Sequence, residues 1–207
     1  MEIIPAVLPK SLSELQEKIA LLPREAKTVH LDFCDNGFLC PEIFPFRDRF
    51  LFEAHLMLAE PERVFDAVIR AGVSRIIVHI ETVRDFGKLK ALRGWSQPPS
   101  IPPLEGGKER GVEIGLAINL DTPSEVPVPF LSEIDVVQFM GIKNVGFQGQ
   151  PFDNRVIEKV AKFHAEHPDI VVSVDGGVNA ENAPALGSAG ASRLVVGSAI
   201  AQFTFFP

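Results

Sequence analysis

Four side chains of the 207-residue chain, two histidines and two aspartates, could together hold a cation. His30 and Asp32 lie two apart in T-V-H-L-D-F, so on an extended strand both point to one face. His55 sits inside F-E-A-H-L-M-L, and Asp175 ends V-V-S-V-D before Gly-Gly. Imidazole nitrogens and carboxylate oxygens together suit a divalent transition ion, and zinc, iron(II) and manganese are all compatible with such donors. Each residue alone has a plainer explanation. A histidine in an apolar strand is commonly a hydrogen-bonded core residue, and an aspartate before two glycines is commonly a turn residue. Four polar groups set in apolar runs are costly to bury without a shared partner, and one cation would satisfy them together. The expectation is one divalent metal ion held by His30, Asp32, His55 and Asp175.

The elements that must position these residues follow from the hydrophobic pattern. Apolar runs rich in Val and Ile recur at Ile3–Leu8, Thr28–Phe33, Phe52–Leu58, Arg75–Glu81, Glu113–Asn119, Val136–Ile142, Ile170–Asp175 and Arg193–Ile200. Most are apolar at consecutive positions, which suits strands buried on both faces of a parallel sheet. Helical patterns lie between several of them. Ser11–Leu22 opens on an S-x-x-E capping box, and Pro61–Ala71 places Val64, Phe65, Val68 and Ile69 on one face before Gly72. Asn154–His167 and the shorter Asn182–Leu186 complete the set. Eight strands alternating with helices predict an α/β fold, a (β/α)8 TIM barrel over residues 1–207, with an open doubly wound sheet as the competing topology.

Three places depart from a regular repeat. Two prolines between Pro41 and Phe50 trim the second helix, and the Pro/Gly-rich stretch 96–111 reads as an inserted surface loop. Only Ala201–Pro207 follows the eighth run, too little for an eighth helix, since a mean helix takes about 11–12 residues. With Phe203, Phe205 and Phe206 as the apolar residues of that tail, the outward side of the strand around Val195 is expected to be covered by self-association, as a homodimer.

A second constellation is made of glycines. Gly146, Gln148 and Gly149 follow the sixth run in G-F-Q-G-Q, Gly176 and Gly177 follow the seventh, and Gly197 and Ser198 follow the eighth. One such loop is an ordinary turn. Three in succession predict a phosphate site built from backbone N–H groups, as is frequent near strands seven and eight of such barrels. Lys143 at the same mouth reads first as a solvated side chain, and His164 and His167 carry no chemistry of their own.

Composition excludes other classes. Hydrophobic residues make up 46% and charged residues 23%, an ordinary globular balance. No run reaches the ~18 consecutive apolar residues of a membrane span, so no membrane association is expected. The net charge of −7 and the absence of a Lys/Arg cluster argue against nucleic acid as a partner. The N-terminus has no secretory pattern, and Cys34 and Cys40, at a spacing matching no common zinc motif, read as reduced thiols of a cytoplasmic protein.

With those residues in view, the sequence resembles the ribulose-phosphate 3-epimerase family. The matching segments are V-H-L-D-F-C-D at 29–35, A-H-L-M at 54–57, I-V-H-I-E at 77–81, G-L-A-I-N at 115–119, G-F-Q-G-Q-P-F at 146–152, V-D-G-G-V-N at 174–179 and G-S-A-I at 197–200. The resemblance implies that His30, Asp32, His55 and Asp175 bind one divalent metal and that Asp32 and Asp175 are also the acid/base pair. It further implies that Met57 and Met140 line the site, and it favours a supporting role for His79 and Glu81. The implied reaction is metal-dependent 3-epimerisation of a small phosphorylated sugar, D-ribulose 5-phosphate to D-xylulose 5-phosphate. Two carboxylates would move a proton through an enediolate whose developing charge the metal stabilises.

The chain also departs from the family pattern. Ala6 stands where the family usually has Ser, Cys34 stands for a third methionine, and Gln148 replaces a Gly in a loop one residue longer. These leave open a divergent barrel of the same descent that binds a metal or a phosphorylated ligand without that turnover. A decarboxylase or synthase would want a lysine at a strand end, and none is embedded in the runs.

Overall fold

The computed structural model describes residues 1–35, 37–38, 44–94, 111–147 and 149–203. Eight parallel strands close into a barrel in chain order: β1 (Glu2–Val7), β2 (Thr28–Cys34), β3 (Leu51–Met57), β4 (Arg75–His79), β5 (Glu113–Ile118), β6 (Val136–Met140), β7 (Val171–Asp175) and β8 (Arg193–Val196). β8 pairs back onto β1, with Ile4 opposite Val195, and this excludes the open sheet.

The consecutive apolar runs have the two-sided burial that they suggested. Along β2, Val29, Leu31 and Phe33 join the apolar core, while His30 and Asp32 alternate onto the other face and meet side chains of other strands inside the barrel. The same alternation places Glu53, His55 and Met57 on the inner face of β3, in register with β2 as His30 opposite Glu53 and Asp32 opposite His55.

Helices cover the outside unevenly. α1 (Leu12–Ala20) starts on Ser11, whose hydroxyl accepts from the Glu14 N–H at 3.2 Å. The Glu14 carboxylate accepts from the Lys10 N–H rather than from Ser11, so the capping box closes one residue early. The expected Pro61–Ala71 helix divides into a 3₁₀ turn, Pro61–Arg63, and α2 (Phe65–Ala71), which ends on Gly72 at φ 104°. α3 is Phe86–Ala91, α4 is Arg155–Glu166 and α5 is Ala183–Ser188.

Between β2 and β3 no α-helix occurs among the described residues. Phe44 and Phe50 pack there against Phe52, with ring centroids 5.1 and 6.3 Å away, and take the place of a helical layer. A second gap was not foreseen. The β5–β6 connection carries only a 3₁₀ segment, Val128–Glu133, because Pro123, Pro127 and Pro129 remove backbone donors that an α-helix needs.

The tail expectation needs correction. Val195 lines the barrel's inner cavity, so it has no outward face to cover. Leu194 and Val196 are fully buried, and Ile200 and Phe203 pack against the same core. A short 3₁₀ turn, Ile200–Gln202, replaces an eighth helix, and β8 offers no bare apolar face as a reason for a dimer. Phe205 and Phe206, Cys40, Gln148 and, apart from Gly111, the stretch 96–111 lie outside the described residues.

Candidate functional site

β2, β3 and β7 bring His30, Asp32, His55 and Asp175 to one point. One donor atom from each lies within 4.8 Å of the donor atoms of all the others. His55 Nδ1 is 3.0 Å from Asp32 Oδ1 and 3.3 Å from Asp175 Oδ2. His30 Nε2 is 3.4 Å from Asp32 Oδ1 and 3.8 Å from Asp175 Oδ2. Both imidazoles are completely buried, beneath a cavity of about 390 Å³ that Asp32 and Asp175 line.

The donor set fits a cation. His30 Nε2 is buried with no hydrogen-bond partner among the described residues, although two carboxylates, of Asp32 and Asp175, face it. Donors held about 2.0–2.1 Å from a tetrahedral ion stand roughly 3.3 Å apart, which the observed 3.0–3.8 Å separations bracket.

The electrostatics of the cluster are those of a charge-hungry site. Burial disfavours a charge on His30, yet the facing Asp32 carboxylate and the Glu53 carboxylate bonded to Nδ1 outweigh burial and push its pKa up to about 10. Burial likewise opposes a charge on His55, and Asp175 and Asp32 raise its pKa. For Asp32, burial raises the pKa but the two histidines hold it well below the usual carboxylate range. Without a cation, protons on the imidazoles balance the carboxylates; a divalent ion would take over that role and release them.

The remaining expected residues are arranged around the cavity above. Met57 and Met140 line it, as do Gly146, Gly149, Gly176, Gly177, Gly197 and Ser198, so the glycine loops and the His/Asp cluster share one space. Gly176 and Gly177 adopt φ of 98° and 69°, conformations open to glycine. Ala6 also lines the cavity, whereas Lys143 is exposed and does not. Cys34 is half-buried near Gly146; burial, with Asp32 and Asp35 nearby, pushes its thiol up to about 11 and keeps it protonated.

Several buried polar groups next to the cluster escaped the sequence reading. Glu53, Gln138, Ser173 and Arg193 are buried beside it. Gln138 Nε2 donates to Asp175 Oδ2 at 3.3 Å. The signal was present: Glu53, Ser173 and Gln138 each stand two residues before a residue already chosen, hence on the same strand face.

His79 has a supporting position, its Nε2 3.0 Å from His55 Nε2 and its ring stacked on that of His55. Glu81 does not share its strand; β4 ends at His79 and Glu81 lies in the following turn. There it accepts from the Asn119 N–H at 2.9 Å and from the Thr122 hydroxyl, and its other oxygen lies 3.5 Å from His79 Nδ1. Burial raises its pKa, but these donors prevail and bring it to about 2. A carboxylate depressed in the folded state contributes stability that is present above its ordinary pKa and lost as pH falls through the folded value. Glu81→Gln is therefore expected to lower stability near neutral pH, with the gap to wild type closing between pH 5 and 2. Urea denaturation across that range checks it, and a gap independent of pH would contradict it.

Fold and cluster together define a barrel enzyme with its polar site at the C-terminal strand ends. A family model described as the ribulose-phosphate 3 epimerase family matches residues 2–201, and the chain belongs to that family, whose members are isomerase-class enzymes. A ribulose-phosphate 3-epimerase of Bacillus subtilis is 30% identical over 97% of this chain and 92% of its own length. A ribulose-phosphate 3-epimerase of Oryza sativa subsp. japonica, named as the cytoplasmic isoform, is 27% identical over 96% of this chain and 86% of its own length. Among solved structures, KGPDC from Streptococcus mutans superposes with a TM-score of 0.66 over 99% of this chain and 91% of its own; at 14% identity it shares the fold.

Proposed function

We propose that this chain is a metal-dependent ketose-phosphate 3-epimerase, interconverting D-ribulose 5-phosphate and D-xylulose 5-phosphate. One observation carries the reading: Asp32 and Asp175 reach the same cavity from β2 and β7, three strands apart around the ring, while sharing the same two histidines. Inverting a carbon next to a ketone requires a proton to leave one face and another to arrive on the opposite face. Two carboxylates placed on either side of the carbon can do this, exchanging the roles of base and acid with the direction of reaction. His30, Asp32, His55 and Asp175 would hold the divalent ion, which when bound supplies positive charge where the reaction develops negative charge. Met57 and Met140 would wall the reacting carbon from water. The loops around Gly146–Gly149, Gly176-Gly177 and Gly197-Ser198 would hold the phosphate through backbone N–H groups, so that its binding orients the sugar. The rice relative, named as a cytoplasmic isoform, supports a cytoplasmic setting.

Incubating the purified protein with D-ribulose 5-phosphate, with metal content measured on the same sample, tests the reading. Xylulose 5-phosphate formed in proportion to bound metal is expected. A metal-replete protein that forms none would favour the divergent, non-epimerising barrel.

The phosphate assignment has its own test. A Cβ added at Gly177 would lie 2.9 Å from Phe152 Cα, and φ there is 69°. Gly177→Ala is expected to strain the loop by about 1–3 kcal/mol. If that cost falls on phosphate binding, KM rises on the order of tenfold or more, with kcat changed less. An unchanged KM for the phosphorylated sugar would remove this loop from the site.

A further inference from the structure

Below the His/Asp cluster lies a fully buried carboxylate that the proposed chemistry does not use. Glu53 pairs in register with His30 on one side and Arg75 on the other. Its Oε2 is 2.5 Å from Arg75 Nη1 and 2.5 Å from Arg193 Nη2, so two guanidinium groups converge on one oxygen. Its Oε1 is 2.7 Å from His30 Nδ1. The arginines are anchored in turn, Arg75 by Glu113 and Arg193 by Glu2 at 3.1 Å. Two arginines donate only, so the oxygen they share must accept, and the carboxylate cannot rotate without losing both. Its second oxygen is an acceptor too, so the hydrogen bond to His30 requires a proton on Nδ1. In a neutral imidazole that leaves the lone pair on Nε2, the atom that faces Asp32 and Asp175 and has no hydrogen-bond partner.

We propose that Glu53, clamped by Arg75 and Arg193, is a positioning residue that fixes the Nδ1–H tautomer of His30 and so presents Nε2 as a metal ligand. The inference rests on the metal reading given above and extends it to residues outside the donor set. Carboxylates that accept from a ligand imidazole orient its ring and raise its basicity, and losing such a partner commonly weakens metal binding by about 10–100-fold.

Glu53→Gln is the discriminating variant because its shape is nearly unchanged. The arginines compel the amide oxygen toward themselves and turn the NH₂ group toward His30 Nδ1. That nitrogen must then accept, the proton moves to Nε2, and the ligating lone pair is lost. Zinc affinity measured by chelator competition is expected to fall about 10–100-fold in Glu53→Gln. Glu125→Gln, in the exposed ion pair with Lys162, is expected to keep the wild-type affinity. Nitrogen-15 NMR of the zinc-loaded wild type is expected to show His30 protonated at Nδ1, a readout that needs no variant to fold. Wild-type protein that binds zinc with His30 protonated at Nε2, or Glu53→Gln that folds and binds zinc as tightly as wild type, would overturn the role of Glu53 and leave the metal site standing. Wild-type protein that binds no divalent metal would overturn the metal reading and this inference with it.

Discussion

Asp32→Asn and Asp175→Asn are each expected to lower turnover by about 10²–10⁴-fold or more while the barrel stays folded. Asparagine keeps the volume of aspartate, and each position borders an open cavity, so the local packing has little to lose. What disappears is the group that takes or returns the C3 proton. Each substitution also removes one negative donor from the cluster, whose donor atoms lie within 4.8 Å of one another, so metal affinity falls as well. The two effects separate experimentally: saturating metal restores occupancy but supplies no base. Turnover measured at saturating metal therefore reports the proton-transfer role, and a variant of either aspartate that stays near wild-type turnover under those conditions would contradict it.

Removing the metal is expected to have the second large effect. Dialysis against a chelator should abolish epimerisation and leave the far-ultraviolet circular dichroism unchanged, because the eight-strand hydrogen-bonded ring does not depend on the cluster. Activity should return with zinc, iron(II) or manganese, and the order of effectiveness identifies the preferred ion. An ion present at 100 times its dissociation constant stabilises the folded state by about 2.7 kcal/mol. For a chain of this size that is a Tm shift of roughly 5–10 °C. Full activity in protein shown by elemental analysis to be metal-free would exclude the metal from the reaction.

How much of this could be read from the residues differs from place to place. His30 and Asp32 were legible as a pair because strand side chains alternate with a strict period of two, and that period survives folding unchanged. His55 and Asp175 were legible for the same reason, as polar groups inside otherwise apolar runs. Glu53 shares a strand face with His55 and could have been found by the same period, but Arg75 and Arg193 could not, because charged residues at the start of an apolar run look like solvated strand ends. Only barrel closure, which carries β8 round to β1 and packs β3, β4 and β8 side chains into one interior, turns those ends into a buried layer. The β8 edge was misjudged for a related reason: whether Val195 faces in or out depends on register with β1, which no local pattern states. The prolines of the β5–β6 connection, by contrast, were in plain view and already argued against an α-helix there.

The central claim is that two carboxylates pass a proton at C3 of a ketose phosphate beside a bound divalent ion. It is tested most directly by following the C3 hydrogen of D-ribulose 5-phosphate by proton NMR in D₂O with metal-replete wild-type protein. Deuterium should enter C3 of both the ribulose and the xylulose phosphate as they interconvert, and should stop entering when the metal is removed. Xylulose 5-phosphate formed with its original C3 hydrogen, or metal-replete protein that leaves that hydrogen in place indefinitely, would contradict the claim.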